Sequence, residues 1–440
     1  MASFRINNGG NAVRVLSPLP YGNNYIGSVD ISGGVSIGTY NAVEYQNTNT
    51  TIGKVMLADS GNLDAFGRLR VSEPLTLYEG SLIEDSQPAI FDISQYNGAI
   101  ATYNVNESTM KFDVSRAGQF VKRQSHYFAH YQPGKSLLIE ASFWFGTNIP
   151  SGAYKRVGFF DDGEGIYFEQ TSSYLSWNMR SQSQGTTLTV SQDNWNVDTL
   201  KGTGPSGYTL DISSTNLMVI DAEWLGVGRV RVGFIMNGRV IYCHNFLIPG
   251  LSVPYIKSPY LPARYEIGTS TNQAATVSMK QICCTIMSEG GFTPLGSLRS
   301  YVIDVPVSIS NTSYTPVLSL RLNPAFAKGL LIPDSYSVIS TNNNIVYVKM
   351  YTRTTLTGAN FQNVTSYSQI DTSATSFSGG YFSDSEILSN ISRITFQQLP
   401  PSVIGLQSDI NGVPDILTIA CKGSASSQNV AVSIMWREVL

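Results

Sequence analysis

The sequence predicts an all-β protein: a central jelly-roll or concanavalin-like β-sandwich, a smaller C-terminal β-sandwich and an extended N-terminal arm. Three observations lead there. Helical periodicity is nearly absent from the 440 residues. Short runs of apolar and polar alternation recur with turn residues every ~8 to 12 positions, as in sandwich folds. One stretch, Ile220 to Phe246, reads as a hairpin of defined register, IDAEWLGVGRVRVGFIMNGRVIYCHNF. Its Asn237-Gly238 accepts the positive φ angles of a two-residue type I′ turn, so Met236 pairs with Arg239 and Gly233 falls opposite Tyr242. Val230, Val232, Phe234, Met236, Ile241 and Cys243 then share the core face. Arg229, Arg231, Ile235, Val240 and Tyr242 take the other, with Arg231 opposite His244 on the wetter side.

Residues 1–60 hold Gly, Asn and Pro punctuation between very short alternations such as Val13-Arg14-Val15-Leu16 and Val35-Ser36-Ile37. That is too little apolar surface for a core, so this segment is expected to be an arm ordered by lying on a neighbour. Residues 61–80 form a link in which Arg68 and Arg70 alternate with Leu69 and Val71 before Pro74. Phe66, Arg68, Arg70 and Glu73 are the candidate subunit contact, with a solvated edge strand as the plainer reading. Strands over 81–298 build the central sandwich. They include Thr109 to Val114, Ser125 to Tyr131, Ser136 to Trp144, Arg156 to Asp161, Gly165 to Gln170, Tyr174 to Arg180, Thr187 to Ser191 and Leu217 to Trp224. Pro133 and Gly134 fit the centre of a type II turn. Glu289-Gly-Gly and Pro294-Leu-Gly mark a boundary, and 299–440 is the C-terminal sandwich. Its strands run Val317 to Leu322, Ile345 to Tyr351, Ile394 to Gln397, Ile416 to Cys421 and Val430 to Trp436, with Ser366 to Gly380 as a polar loop.

Composition narrows the function. Charged residues make up 13% of the chain and the net charge is −3, a surface of uncharged polar groups suited to packing against other protein. No Lys/Arg cluster is present to neutralise a series of phosphates, so nucleic acid is not an expected partner. No basic and apolar leader and no run of ~18 apolar residues is found, so export and membrane spanning are not expected. Cys243, Cys283, Cys284 and Cys421 lie in apolar runs at neither zinc nor redox spacing and read as buried hydrophobes of a protein made in a reducing cytoplasm.

Candidate chemistry is sparse. His126 and His130 would share a strand face but stand ~13 Å apart, too far for one metal ion. Asp161-Asp162-Gly163-Glu164-Gly165 lacks the third, fifth and twelfth ligands of a calcium loop and reads as an acidic hairpin turn. Glu164 or Glu169 with Asp221 or Glu223 are the carboxylates a glycosidase would need. No catalytic residue, metal or cofactor is assigned. Trp144, Trp177, Trp195 and Trp224 fill sandwich interiors or, in the alternative reading, line a sugar groove, with Trp177 and Trp195 as the candidate glycan platform.

Several longer motifs follow one another: DAFGRLRVSEP at Asp64 to Pro74, YQPGKS at Tyr131 to Ser136, WNVD at Trp195 to Asp198, DAEWLGVGRVRVGF at Asp221 to Phe234, LPARYEI at Leu261 to Ile267 and SEGG at Ser288 to Gly291. Through them the chain resembles a family of structural proteins encoded by tailed bacteriophages. The resemblance covers residues 60 to 295 well and the C-terminal portion more loosely, through Ser319 to Phe326 and Ser378 to Gly380. It implies a non-enzymatic virion component made in the host bacterial cytoplasm. The expected form is a homotrimer in contact with capsid or tail proteins, as a head decoration or head-fibre protein. The alternative is a tail fibre or baseplate adhesin that binds a host surface glycan.

Overall fold

The computed structural model describes residues 6–8, 11–13, 63–64, 74–146, 149–223, 228–247, 252–293, 295–341, 344–388, 392–395 and 405–439. Residues 1–59 and 60–440 form two separate compact units. In the first, Ile6–Asn8 pairs antiparallel with Asn11–Val13, Ile6 opposite Val13. Phe66, Arg68, Arg70 and Glu73, the candidate subunit contact, lie outside the described residues, as does Trp224.

In the second unit every element that carries the fold is an antiparallel strand, and the all-β expectation holds. The central sandwich stacks two sheets. The seven-stranded sheet runs in the order Thr186–Ser191, Leu175–Ser181, Gly165–Thr171, Ala153–Phe160, Ala263–Thr269, Phe120–Ser125, Phe91–Tyr96. The eight-stranded sheet runs Arg239–Phe246, Val230–Met236, Thr215–Ala222, Leu137–Trp144, Val277–Ser288, Thr109–Val114, Ile100–Asn104, with Leu75–Ser81 paired to Val277–Ser288. Alternate side chains of the two sheets meet in one core, Phe168 and Trp177 from the first against Phe143 and Phe234 from the second. Leu75–Ser81, placed in the link by sequence, is therefore a sandwich strand.

The Asn237-Gly238 hairpin has the register expected of it, Met236 opposite Arg239 and Gly233 opposite Tyr242, with φ of 49° and 72° at the turn. It differs below the turn. A bulge between Val232 and Gly233 inserts Cys243, so Arg231 pairs with Asn245 rather than His244. Nor is Arg231 on a wet face, for it is fully buried. The Tyr131–Lys135 turn has the expected Lys135 N–H to Gln132 O bond, 3.1 Å, and φ of 85° at Gly134. The strand expected over Ser125 to Tyr131 is instead the end of Phe120–Ser125 followed by irregular chain bridged at Ala129 to Leu261.

The C-terminal sandwich begins at Ser297. Its five-stranded sheet contains Ser297–Val302, Val307–Ile309, Leu330–Ser340, Ser392–Thr395 and Gln428–Val439. Its six-stranded sheet runs Gln362–Asn363, Ser368–Asp371, Thr315–Leu322, Ile416–Gly423, Val346–Thr352, Tyr381–Leu388. Val432, Ile434 and Trp436 of one sheet pack on Leu318, Leu320 and Ile419 of the other. Ser366 to Gly380 is not a surface loop throughout. Ser368 and Ile370 are buried in a sheet strand, and Ser376–Ser378 pairs with Thr355–Thr357 in a small flap. A Ser-rich stretch can do this because a hydroxyl is satisfied locally, here by Ser368 Oγ donating to Glu438 at 2.7 Å.

Candidate functional site

The residues that sequence reading singled out for chemistry are used to hold the molecule together. Trp177 is fully buried against Phe168 and Phe234, its Nε1 donating to Cys243 Sγ at 3.1 Å. Trp195 packs beside the same two rings and donates to Val190 O at 3.2 Å. The glycan-platform expectation at Trp177 and Trp195 is thereby corrected: each lies between the sheets, where burial of a large ring stabilises the core and leaves no face for a sugar. Trp144 lies at the sandwich end, with Nε1 on Ser213 O at 2.7 Å and Lys280 over its ring.

The carboxylates are likewise occupied. Glu169 accepts from Arg156 Nε at 2.7 Å, and the same guanidinium reaches Glu266 at 3.1 Å. Asp221 is fully buried, ion-paired to Arg231 and accepting from Tyr242 OH at 2.8 Å. Arg231 also donates to Leu63 O and stacks 4.4 Å from the Tyr242 ring centroid, so it ties the start of the link to the outer face of the eight-stranded sheet. Glu164 accepts from the backbone N–H groups of Lys257 and Ser258 at 2.6 and 2.7 Å. The acidic turn closes as expected, with Asp161 Oδ1 accepting from Gly163 and Glu164 N–H, both 2.8 Å. Its remaining oxygen takes Lys328 of the C-terminal sandwich at 2.6 Å.

That last contact belongs to a polar joint between the sandwiches which sequence reading missed. His126, just past the end of Phe120–Ser125, places Nδ1 2.9 Å from both oxygens of Asp92 and Nε2 2.6 Å from Asp415 Oδ2. Asp92 comes from the central sandwich, Asp415 from the C-terminal one. Arg353 approaches both, at 3.7 and 3.4 Å, and Ile410 N–H and Gln407 N–H complete the carboxylates at 3.0 and 3.1 Å. Burial opposes charge on the imidazole, but Asp415 and Asp92 outweigh it and carry the His126 pKa up to about 9. Beside it, Gln407 exchanges two hydrogen bonds with the Phe128 backbone, at 3.0 and 3.2 Å.

His130 has no part in this cluster. It stacks 4.1 Å from Tyr260, donates through Nδ1 to Phe128 O, and burial lowers its pKa to about 4. Among the described residues no set of three or more His, Cys, Asp or Glu is placed to hold a metal ion. Cys243, Cys284 and Cys421 are buried as expected, but Cys283 is exposed, because adjacent strand residues point to opposite faces.

Four exposed apolar side chains lie at or beside one edge of the central sandwich. Phe91–Tyr96 is the edge of one sheet, Ile100–Asn104 the edge of the other, and the Asn97-Gly98 turn joins them. Tyr96, Ile100, Val105 and Ile83 are 60%, 56%, 62% and 64% exposed. Tyr103 OH donates to Leu82 O at 2.9 Å and keeps the Ile83 segment beside this edge.

The chain matches no protein-family model, and no curated protein matches it. Solved structures similar to it include a pseudo β-1,3-glucanase of Mycobacterium tuberculosis, at 10% identity and TM-score 0.32 over 49% of this chain and 98% of that one. A winged bean acidic lectin is similar at 11% identity and TM-score 0.30, over 49% and 98% of the two chains. The CBM2 module of an evolved Dit protein from Lactobacillus casei BL23 phage J-1 is similar at 9% identity and TM-score 0.31, over 50% and 99%. Likenesses at this level say nothing of what this chain binds.

Proposed function

We propose that the chain is a non-enzymatic structural component of a tailed-bacteriophage virion, a head decoration or head-fibre protein. It assembles as a homo-oligomer, expected to be a trimer, through its N-terminal arm and sandwich faces. The observation that carries this reading is the set of exposed apolar side chains Tyr96, Ile100 and Val105, with Ile83 beside them, at the two sheet edges that have no further partner strand among the described residues. Apolar side chains gathered in this way mark surfaces that other protein covers, and open strand edges offer unpaired backbone groups to a neighbour. The engagement of Glu164, Glu169 and Asp221 in structural bonds supports a non-catalytic role. The burial of Trp177 and Trp195 removes the residues on which the tail-adhesin alternative stood.

Cryo-EM localisation of the chain on intact particles tests the reading, together with an Ile100→Glu variant. Density repeated over the head, and loss of incorporation by the folded variant, is the expected result. Density confined to the tail tip restores the adhesin alternative, and absence from particles refutes a virion role.

A further inference from the structure

The C-terminal sandwich carries a recess of about 700 Å³ on the outer face of its six-stranded sheet. Its floor is Arg321, on Thr315–Leu322, where Leu320 and Leu322 point into the core and the intervening residue must point out. One wall is the segment after the Thr355–Thr357 flap strand, with Asn360 and Phe361. The other is the turn that carries Asp409 and Val413 and runs on to Asp415, and Arg353, already held between Asp92 and Asp415, also lines the recess.

Arg321 is an unusual floor. Its guanidinium stacks 3.8 Å from the Phe361 ring centroid, and Nε donates to Gln369 Oε1 at 2.9 Å. These two contacts fix the plane of the fork, and its terminal N–H groups have no hydrogen-bond partner among the described residues where Arg321 lines the recess. Arg321 makes no ion pair among the described residues. The carboxylate that acts on it, Asp371, is spent on its own loop, accepting from Asn360, Ser373 and Ala374 N–H at 2.7, 3.2 and 3.0 Å. A half-buried, pre-oriented guanidinium with no ion-paired carboxylate among the described residues is a site for a planar anion, since two parallel N–H bonds match a carboxylate in both geometry and charge.

The rest of the recess narrows the ligand. Asp409 Oδ1 caps its own turn by accepting from Asn411 and Val413 N–H at 2.9 and 2.8 Å, while Oδ2 has no hydrogen-bond partner among the described residues. A carboxylate here disfavours a dianion more than a monoanion and accepts hydrogen bonds from ligand hydroxyls. Thr355 and Asn360 add further hydroxyl partners, and Leu356 and Val413 give apolar surface for C–H groups. The volume lies within the ~300 to 1,000 Å³ usual for small-ligand clefts and exceeds what a bare carboxylate needs. We propose that this recess binds an acidic sugar unit, with the carboxylate on the Arg321 fork and ring hydroxyls on Asp409, Thr355 and Asn360. The site lies in the other sandwich from Trp177 and Trp195 and does not depend on where the protein sits on a particle.

The test is saturation-transfer NMR of methyl β-glucuronide with the full chain, set against methyl β-glucoside and inorganic phosphate. Saturable glucuronide binding is expected, with the neutral glucoside weaker by about tenfold or more, as loss of a charge-assisted bidentate pair implies. Arg321→Gln should abolish the difference between the two sugars, with thermal unfolding confirming its fold. Val413→Glu adds a negative charge at an exposed rim and keeps the test decisive should the first variant unfold; it should weaken the glucuronide and spare the glucoside. Equal binding of the two sugars, tighter binding of phosphate, absence of saturable glucuronide binding, or indifference to Val413→Glu would each overturn the proposal.

Discussion

Raising the pH from 6.5 to 9.5 should loosen the joint between the two sandwiches by discharging His126. Folding places both imidazole nitrogens on carboxylates, Asp92 at 2.9 Å and Asp415 at 2.6 Å, so the folded chain holds the proton more tightly than the unfolded one. The sign follows. A pKa raised from 6.5 to about 9 contributes stability that is fully present below ~6.5 and is lost as the pH rises through about 9. At 1.36 kcal/mol per pH unit the whole contribution is about 3 kcal/mol.

A second buried group works in the opposite sense. Lys155 donates its Nζ to Phe145 O inside the central sandwich, and burial lowers its pKa from 10.5 to about 8. The folded chain prefers the neutral amine there, so stability rises with pH between those two values. The wild-type profile alone therefore mixes two slopes of similar size, and the informative quantity is the difference between wild type and His126→Gln. Urea unfolding at pH 6.5, 8 and 9.5 should show that difference shrinking by about 3 kcal/mol across the series, while the variant retains the Lys155 slope. Asp415→Asn should move the dependence toward the ordinary histidine range. A wild-type minus variant difference constant to within about 0.5 kcal/mol, the usual limit of additivity, would refute a charged His126 at the joint.

Three other outcomes check the packing. Gly158→Ala should destabilise the central sandwich by about 3 kcal/mol, because the new Cβ would meet Ile166 O at 2.3 Å across the sheet; an unchanged thermal midpoint would contradict the register. Trp177→Phe should cost about 1 to 3 kcal/mol through the lost bond to Cys243 and the space left behind, without altering the response to any saccharide. A chain beginning at Ser60 should unfold cooperatively at the full-length midpoint in a thermal scan, since 60–440 is a compact unit of its own; a broad, early transition would show that the first unit is part of its fold.

The sheets were legible wherever local rules decide. Thr109–Val114 has the bounds expected of it, and the positive φ at Asn237 and Gly238 fixes the hairpin register near the turn. Alternation also separates inward from outward side chains, which is why Val230, Val232 and Phe234 were assignable to the core. Register farther from the turn was less so. The bulge that inserts Cys243 has no marker in its own residues, and it moves Arg231 from His244 to Asn245. Leu330–Ser340 escaped notice because its Pro333 and Asp334 break the alternation, where the structure places another bulge, between Pro333 and Ser335.

The candidate site was hidden for a different reason. Alternation says that a polar side chain faces outward, but outward from one sheet is inward when a second body covers it. His126 and Asp415 lie 289 residues apart, and neither has a sequence neighbour that anticipates the other. Arg231 reads as a solvated strand residue until Leu63 is laid over it, and Asp161 as a surface turn until Lys328 arrives. In each case the charge is retained inside because a complementary group from a distant segment meets it, which a packed joint requires and local sequence does not encode. Arg321 is the informative exception. It too is stacked, half-buried and held by a neighbour, yet Asp371, the carboxylate that acts on it, is bonded to its own loop and makes no ion pair with it among the described residues. By the same reasoning the missing complement of Arg321 should be sought outside the chain, and an acidic ligand is the simplest group to supply it.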